Sequence, residues 1–369
     1  MSGVSVLGRA VAYRLYDVGY SISLDKALDG LAASAPERVR PIRGEAAALQ
    51  IANPPVGVVL GSERVVIEGQ PYDAEVAGRI FDFGVISLRL RVDAGGPLSW
   101  DAFAALGRAV DTNAEIPRIL DHHLSLLRAR IAGAIERESL APVREDYVVF
   151  RLEEIRGDDG RRLTHHGLLE TLDVAPLLLG ETRRLSDAAR RELLPHQFSY
   201  YDEDLAVLTW DNALILDPAP GPTDVEYILE FANAQLLELR YYDAVLDAEL
   251  QKLTARNEAM RGNRFAPFSR RYSTLLGEIQ RLYSDSTELV ERVENSLKVT
   301  DDVYLARIYS AALDIFRGKA WRADVDRKLA LVRDTYEMLN GMAQARRAEA
   351  LETAIVVLIV GEILLSIFR

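Results

Sequence analysis

The second half of the chain has apolar residues at spacings of three and four, which is the period of an amphipathic helix. The first such stripe follows a capping box, in which Thr223 caps the helix and Glu226 reaches back three residues. This stripe extends to about residue 260, a second covers about residues 268–298, and a third begins near Thr300. Short loops between long helices favour antiparallel packing. The pattern therefore predicts a coiled-coil-like array of three long antiparallel helices over residues 223–350.

Within the third stripe, the apolar positions from Val325 to Leu339 alternate at spacings of four and three, as in a heptad repeat. Heptad helices commonly pair with one another, so we expect a homo-oligomer formed through the long helices. The sequence does not fix the number of subunits.

The first half of the chain mixes β-branched, alternating runs with shorter helical stretches. Strands are predicted over residues 11–22, 55–67, 75–92 and 147–155, and a tight hairpin joins residues 205–210 to residues 213–216 around Asp211-Asn212. Helices are predicted over residues 99–112, 113–138 and 185–194, the first of them capped by Ser99. The expected fold class is α+β, with a mainly antiparallel sheet before the long helices.

A Pro/Gly-rich break separates the two halves, with Pro218, Pro220, Gly221 and Pro222 close together. The predicted organisation is an α+β domain over residues 1–217, a linker over 218–222, the helical array over 223–350 and a tail over 351–368.

The tail is apolar on every face and predicts a transmembrane helix that anchors the chain in a lipid bilayer. Arg346 and Arg347 precede it and Arg369 alone follows it, so the charge pattern predicts that the bulk of the chain is cytoplasmic. No secretory signal is expected near the N-terminus. The predicted location is the bacterial inner membrane, crossed once. The proposed anchor residues are Leu351, Ile355, Leu358, Ile359, Glu362, Leu365 and Phe368.

Glu362 is unusual in such a segment, because a carboxylate is costly inside a bilayer. It could form a polar contact between the tails of an oligomer, or it could be a protonated residue or one that reaches the far interface.

Composition excludes several classes of function. The chain has 0 cysteines, so disulfides, thiolate metal sites and cysteine nucleophiles are absent. Its net charge is -12, which makes direct binding of nucleic acid unlikely. We find no phosphate-binding loop, dinucleotide fingerprint or serine nucleophile elbow, and no cofactor is predicted.

Two groups of residues offer candidate chemistry. The five histidines include two adjacent pairs, a spacing that does not place two ligands on one helix face. Asp202, Glu203 and Asp204 form the best acidic cluster, because neighbouring carboxylates can bind Mg²⁺ or transfer protons. Three carboxylates in a row are more often a solvated turn.

Four segments together resemble the required-for-meiotic-nuclear-division family, also called domain of unknown function 155. They are NAQLLELRYYDAVLDAEL (residues 233–250), KLALVRDTYEMLNGMAQARRAEALE (328–352), IVVLIVGEILLSIF (355–368) and FDFGVISLRLRV (81–92). The resemblance implies an α+β domain, a helical region and a membrane anchor. Eukaryotic members support mitochondrial translation from the inner membrane. Since this sequence has no transit peptide, it resembles a bacterial-type member.

The favoured hypothesis is a non-enzymatic, membrane-anchored interaction or scaffold protein with an unknown protein partner. Two alternatives are a metal-dependent hydrolase that uses the loop from Asp202 to Asp204, and a membrane tether associated with ribosomes or translation, by family analogy.

Overall fold

The computed structural model describes residues 3–39, 49–51, 53–181, 185–219, 221–260, 270–299 and 303–367. The chain divides into two compact units. The first contains residues 1–241 and 292–319, and the second contains residues 242–291 and 320–369.

The strands of the described residues are β1 (Ser5–Asp17), β2 (Gly19–Ile22), β3 (Glu37–Arg38), β4 (Leu49–Ile51), β5 (Val56–Ile67), β6 (Gln70–Ile80), β7 (Val85–Asp93), β8 (Leu98–Ser99), β9 (Ile135–Glu138), β10 (Arg144–Arg156), β11 (Gln197–Phe198), β12 (Leu205–Leu208), β13 (Asn212–Leu216) and β14 (Leu297–Val299). The α-helices are α1 (Leu24–Gly30), α2 (Trp100–Asp111), α3 (Ile116–Ile131), α4 (His165–Thr171), α5 (Ala175–Leu178), α6 (Asp187–Leu193), α7 (Asp224–Met260), α8 (Arg270–Ser296), α9 (Val303–Ile315) and α10 (Gly318–Ile367).

The first unit is built on a large mixed sheet in the order β11-β12-β13-β10-β1-β7-β6-β5-β3, with β8 also paired to β1. Its pairings are antiparallel except for that of β10 with β13. The prediction of an α+β fold with a mainly antiparallel sheet is therefore confirmed.

The two faces of this sheet are covered differently. On one face, α2 and α3 pack through apolar side chains such as Phe103 and Leu124, which belong to the main hydrophobic core. On the other face lies the first part of α7, where every residue from Thr223 to Glu238 is buried. A helix buried on all sides is expected to be apolar, but this one carries several acidic residues, and they define the site described below.

Several predicted elements agree with the structure. The Ser99 hydroxyl accepts a hydrogen bond from the backbone N–H of Ala102 at 3.3 Å, as an N-cap should. In the capping box, the N–H of Thr223 donates to Glu226 at 2.7 Å, and the N–H of Glu226 donates to the Thr223 hydroxyl at 3.1 Å. The predicted hairpin is confirmed by the pairing of β12 with β13.

Other predictions joined strands or helices that are separate in the structure. The strand predicted over residues 75–92 is two strands, because the chain turns at Gly84, whose φ of +99° favours glycine. A side chain there would also collide with the carbonyl of Gly19. The helix predicted over residues 113–138 ends at Ile131 and is followed by β9. The third long helix is interrupted at Arg317, whose φ is +53°, and becomes α9 and α10.

The second unit contains the later turns of α7 together with most of α8 and α10. The Tyr272 hydroxyl of α8 donates to the carbonyl of Leu339 in α10 at 2.6 Å, and the later residue Thr287 lines a small cavity with the earlier residue Asp326. Contacts in this reversed order show that α8 and α10 run antiparallel.

The predicted transmembrane helix over residues 351–368 is wrong. None of the helices in the described part of the chain combines the length and the apolar composition that crossing a bilayer requires. Glu352 and Glu362 interrupt the apolar segment, and the uncharged residues 353–361 between them form only about 14 Å of helix, against a hydrocarbon core of about 30 Å. The predicted lipid anchor and the single-pass location in a bacterial inner membrane are therefore corrected too. Phe368 lies outside the described residues.

Candidate functional site

The predicted acidic cluster lies in the loop before β12. Asp202 and Glu203 are exposed, whereas Asp204 is buried. One carboxylate oxygen of Asp204 accepts hydrogen bonds from the backbone N–H groups of Tyr200 at 2.6 Å and Tyr201 at 3.1 Å. The structure thus separates the three carboxylates and uses Asp204 to hold the turn.

Nearby groups do not complete a metal site in the described residues. The backbone carbonyl of Asp202 accepts a hydrogen bond from the N–H of His165 at 3.0 Å. The His165 and His166 rings are neighbours, with centroids 4.4 Å apart. Among the residues that the structure describes, no group of three His, Cys, Asp or Glu side chains is placed to hold a metal ion.

Asp204→Ala is expected to lower the free energy of unfolding by about 1–3 kcal/mol, because it removes a buried acceptor from two backbone donors. Asp202→Ala, which removes an exposed carboxylate, is the matched control and is expected to change stability by less than about 0.5 kcal/mol. Urea unfolding measures both effects. Titration with Mg²⁺ or Mn²⁺ tests the hydrolase alternative in the same variants, and tight binding that both substitutions abolish would show that the loop is a metal site.

The most unusual cluster of charged residues lies between the sheet and α7, and sequence analysis did not identify it. We call it the arginine–glutamate layer: Arg79, Arg89 and Arg151 from β6, β7 and β10, with Glu226 and Glu230 from α7. Alternation along the strands places the three arginines on the face opposite the apolar core. The spacing of four between the two glutamates places both on one side of the helix.

Arg79 and Glu230 form a hydrogen-bonded ion pair, with side-chain exposures of 6% and 2%. The guanidinium of Arg79 also lies over the ring of Tyr227, 4.5 Å from its centroid. Since both charges have lost almost all their water, each depends on the other for compensation.

Arg151 is fully buried and binds the segment that precedes α7. It donates to the backbone carbonyls of Asp217 and Ala219, both at 2.8 Å, and its guanidinium lies 3.5 Å from the carboxylate of Glu226. Burial lowers the pKa of Arg151, while the charges of Glu226 and Asp217 oppose that effect. The linker and the first turn of α7 are thereby joined to the centre of the sheet.

The third arginine sits in a strongly polar environment. Burial acts to lower the pKa of Arg89, but the neighbouring Tyr13, Glu230 and Glu226 hold it above its ordinary value. Burial, followed by the charges of the two glutamates, raises the pKa of the Tyr13 hydroxyl. The layer therefore favours a charged Arg89 and a neutral Tyr13.

Further along α7, Glu238 and Asp17 form a second buried group, which we call the carboxylate pair. Their residues are 3% and 2% exposed. Burial raises the pKa of Asp17 to about 7, although the hydrogen bond from the N–H of Gly19 acts to lower it. Burial also raises the pKa of Glu238 well above its usual range, the charge of Asp17 raises it further, and Arg292 opposes the shift. The pair can hold a proton near neutral pH.

One oxygen of Glu238 is buried without a hydrogen-bond partner among the described residues. A neutral carboxyl tolerates this position better than a charged one, because a buried carboxylate needs compensation on both oxygens. The orphaned oxygen is thus consistent with a protonated Glu238.

A sequence signal for both groups exists. Arg89 is a polar position in the alternating strand β7, and Glu230 and Glu238 lie in a helix whose other residues are mostly apolar. Polar residues at such positions are typical of a solvated face, and the sequence alone does not show that both sides of the sheet are covered.

A family model described as "Uncharacterized protein MJ0711, N-terminal domain" matches residues 7–223. The chain belongs to this family. The matched residues contain most of the sheet and the three arginines of the arginine–glutamate layer, and they end just before α7.

One relative is "Uncharacterized protein MJ0711" from the archaeon Methanocaldococcus jannaschii. It is 28% identical over 229 residues, a match that covers 61% of this chain and 66% of the relative. The match thus spans slightly less than two thirds of the relative's length. No solved structure matches the chain.

The resemblance to the required-for-meiotic-nuclear-division family is wrong, because the family that matches is a different one and the relative is archaeal rather than bacterial. Three of the four segments behind the resemblance lie after residue 223, in α7 and α10. Amphipathic and apolar helices of this kind share their spacing with many unrelated helical proteins, so their pattern misidentified the family.

Proposed function

We propose that the protein is a non-enzymatic interaction or scaffold protein that assembles with a second copy of itself through α10. The observation that supports this most directly is the surface of α10 beyond Ala343. The described residues 344–360 and 362–366 are all exposed, and ten large apolar side chains among them are at least half exposed. They are Leu351, Ile355, Val356, Val357, Leu358, Ile359, Val360, Ile363, Leu364 and Leu365.

The size of this surface suits an interface between copies. Ten such side chains expose on the order of 1,000 Å² in total, whereas each partner of a standard interface contributes about 800 Å². Earlier in α10, the residues with heptad spacing pack against α8 of the same chain. This part of α10 therefore already forms the kind of helix–helix contact found in helix bundles. Glu362 lies within the apolar surface and would supply a polar contact between copies.

Leu358→Glu is expected to weaken self-association by at least about tenfold, because burying one leucine contributes about 1.5–3 kcal/mol and a buried charge opposes association. Ala348→Glu introduces the same charge at an exposed position outside the apolar stretch and serves as the matched control. Sedimentation equilibrium of the full chain measures the dissociation constant of each variant.

Neither substitution should change the free energy of unfolding, since both side chains are exposed in the single chain. A monomeric wild-type protein at micromolar concentration would contradict the proposal. Equal weakening by Leu358→Glu and Ala348→Glu would assign the effect to charge alone and would also contradict it.

The hydrolase alternative rests on the loop from Asp202 to Asp204 and depends on the metal titration described above. The translation-associated tether was inferred from the resemblance to the required-for-meiotic-nuclear-division family, and no observation of this protein supports it.

A further inference from the structure

A cavity of about 470 Å³ lies on the apolar-core side of the first unit, beside α2 and the segment that contains α4 and α5. This volume is within the range of small-molecule sites, about 300–1,000 Å³. Beside the cavity, α2 packs closely on its neighbours at Gly107. A side chain at Gly107 would meet Leu177 and Phe150 at 2.8 and 3.0 Å, so the helix is in tight contact there.

The lining combines an apolar wall with a few polar groups. Trp100, Ala104, Leu172, Pro176 and Leu177 supply the wall. Trp100 and Ala104 are each 6% exposed, so this part of the lining is built into the protein.

The polar groups differ in whether they have partners. Asp173 is paired with Arg190 at 2.6 Å and accepts a hydrogen bond from the N–H of Ala175 at 3.3 Å. The guanidinium of Arg108 forms no hydrogen bond or ion pair with any residue that the structure describes, although the residue is only partly exposed. Arg108 is therefore the charged group of the lining that is available to a ligand anion.

The geometry of α2 relates Arg108 to Trp100. Both residues line the cavity, and long side chains on a helix lean toward its N-terminus, which favours a guanidinium position on the Trp100 side of the Arg108 backbone. The two backbone positions are about 12 Å apart along the helix axis, at a rise of about 1.5 Å per residue. A small ligand with one aromatic ring and one anionic end is short enough to contact both residues. Asp101, in the first turn of α2, also lines the cavity.

We propose that this cavity binds a small aromatic carboxylate, with its ring against Trp100 and its carboxylate on Arg108. A planar carboxylate matches the forked donors of a guanidinium, and the apolar wall excludes water from the ring. This ligand site is independent of the proposed assembly through α10, because none of its residues belongs to the second unit.

Three probes that share a 4-fluorobenzyl group and differ in charge test the proposal: 4-fluorophenylacetate, 4-fluorobenzyl alcohol and 4-fluorobenzylamine. Binding of each to the full chain is measured by fluorine NMR. We expect the carboxylate to bind with a millimolar or lower dissociation constant, and at least about tenfold more tightly than the alcohol, because a charge-assisted hydrogen bond contributes about 1.5–3 kcal/mol.

Arg108→Gln should remove this preference for the carboxylate and leave binding of the alcohol unchanged. Arg118→Gln, an exposed arginine on α3, is the matched control and should have no effect. Ala104→Leu fills the cavity without changing its charge and should weaken all ring-containing probes, and circular dichroism of each variant verifies folding. Stronger binding of the amine, binding that is insensitive to Arg108→Gln, or no binding of any probe would overturn the proposal.

Discussion

Replacing Arg79 with alanine is expected to lower the free energy of unfolding by about 3–5 kcal/mol, because the substitution leaves Glu230 buried without its partner. The side chains of the pair are only 6% and 2% exposed, so water cannot replace the lost guanidinium. The contact of the guanidinium with the Tyr227 ring is lost as well. Denaturant unfolding, followed by circular dichroism of the sheet, measures the change.

Arg64→Ala provides the matched control, since Arg64 pairs with Asp73 at 3.7 Å with side-chain exposures of 74% and 83%. An exposed pair of this kind contributes about 0–1 kcal/mol. The double variant Arg79→Met/Glu230→Leu should recover most of the stability, because it removes both buried charges together. If Arg79→Ala were no more destabilising than Arg64→Ala, the arginine–glutamate layer would not hold α7 on the sheet.

The second large effect is a loss of stability as the pH rises from about 4 to about 7. In the unfolded chain, the Asp17 carboxyl releases its proton near pH 4, whereas in the folded protein its pKa is about 7. Between these values the folded state binds more protons than the unfolded state, so each pH unit lowers stability by as much as about 1.4 kcal/mol per proton. Above the folded pKa, the contribution of Asp17 becomes constant.

Asp17→Asn is expected to flatten this part of the stability profile, because an amide does not titrate. The groups that act on the pair from neighbouring elements are Tyr241 and Arg292, and neither is changed by the substitution. Glu238→Gln should also reduce the slope, whereas Asp29→Asn, at an exposed position of α1, should leave it unchanged. Urea unfolding at half-unit intervals of pH measures the profiles, and parallel profiles for wild type and Asp17→Asn would refute the buried, protonated state.

Structural features that depend on local chemistry could be predicted from the sequence. Thr223 and Glu226 are three residues apart and reach each other without help from the rest of the fold, and the same is true of Ser99 and Ala102. The turn at Gly84 was missed because its cause is distant: the carbonyl of Gly19 occupies the place of any side chain.

The arginine–glutamate layer was missed for a related reason. Arg79 and Glu230 are far apart in the chain, and each alone has the composition of a solvated surface residue. Only the covering of the second sheet face by α7 turns them into a buried pair. The apolar stretch of α10 illustrates the opposite error. Its high hydropathy led to the prediction of a membrane segment, although Glu352 and Glu362 interrupt it.

The central position of β1 has a consequence for the order in which the molecule forms. Although β1 is the first strand in the chain, Tyr13 pairs with Arg89 on one side and with Tyr147 on the other. During synthesis, the ribosome must therefore release β10 before β1 has both of its neighbours. Pairing over such separations is slow, and until it is complete an apolar strand presents an open edge to other nascent chains. The two parts of the sheet on either side of β1 are therefore joined only when the middle of the chain becomes available.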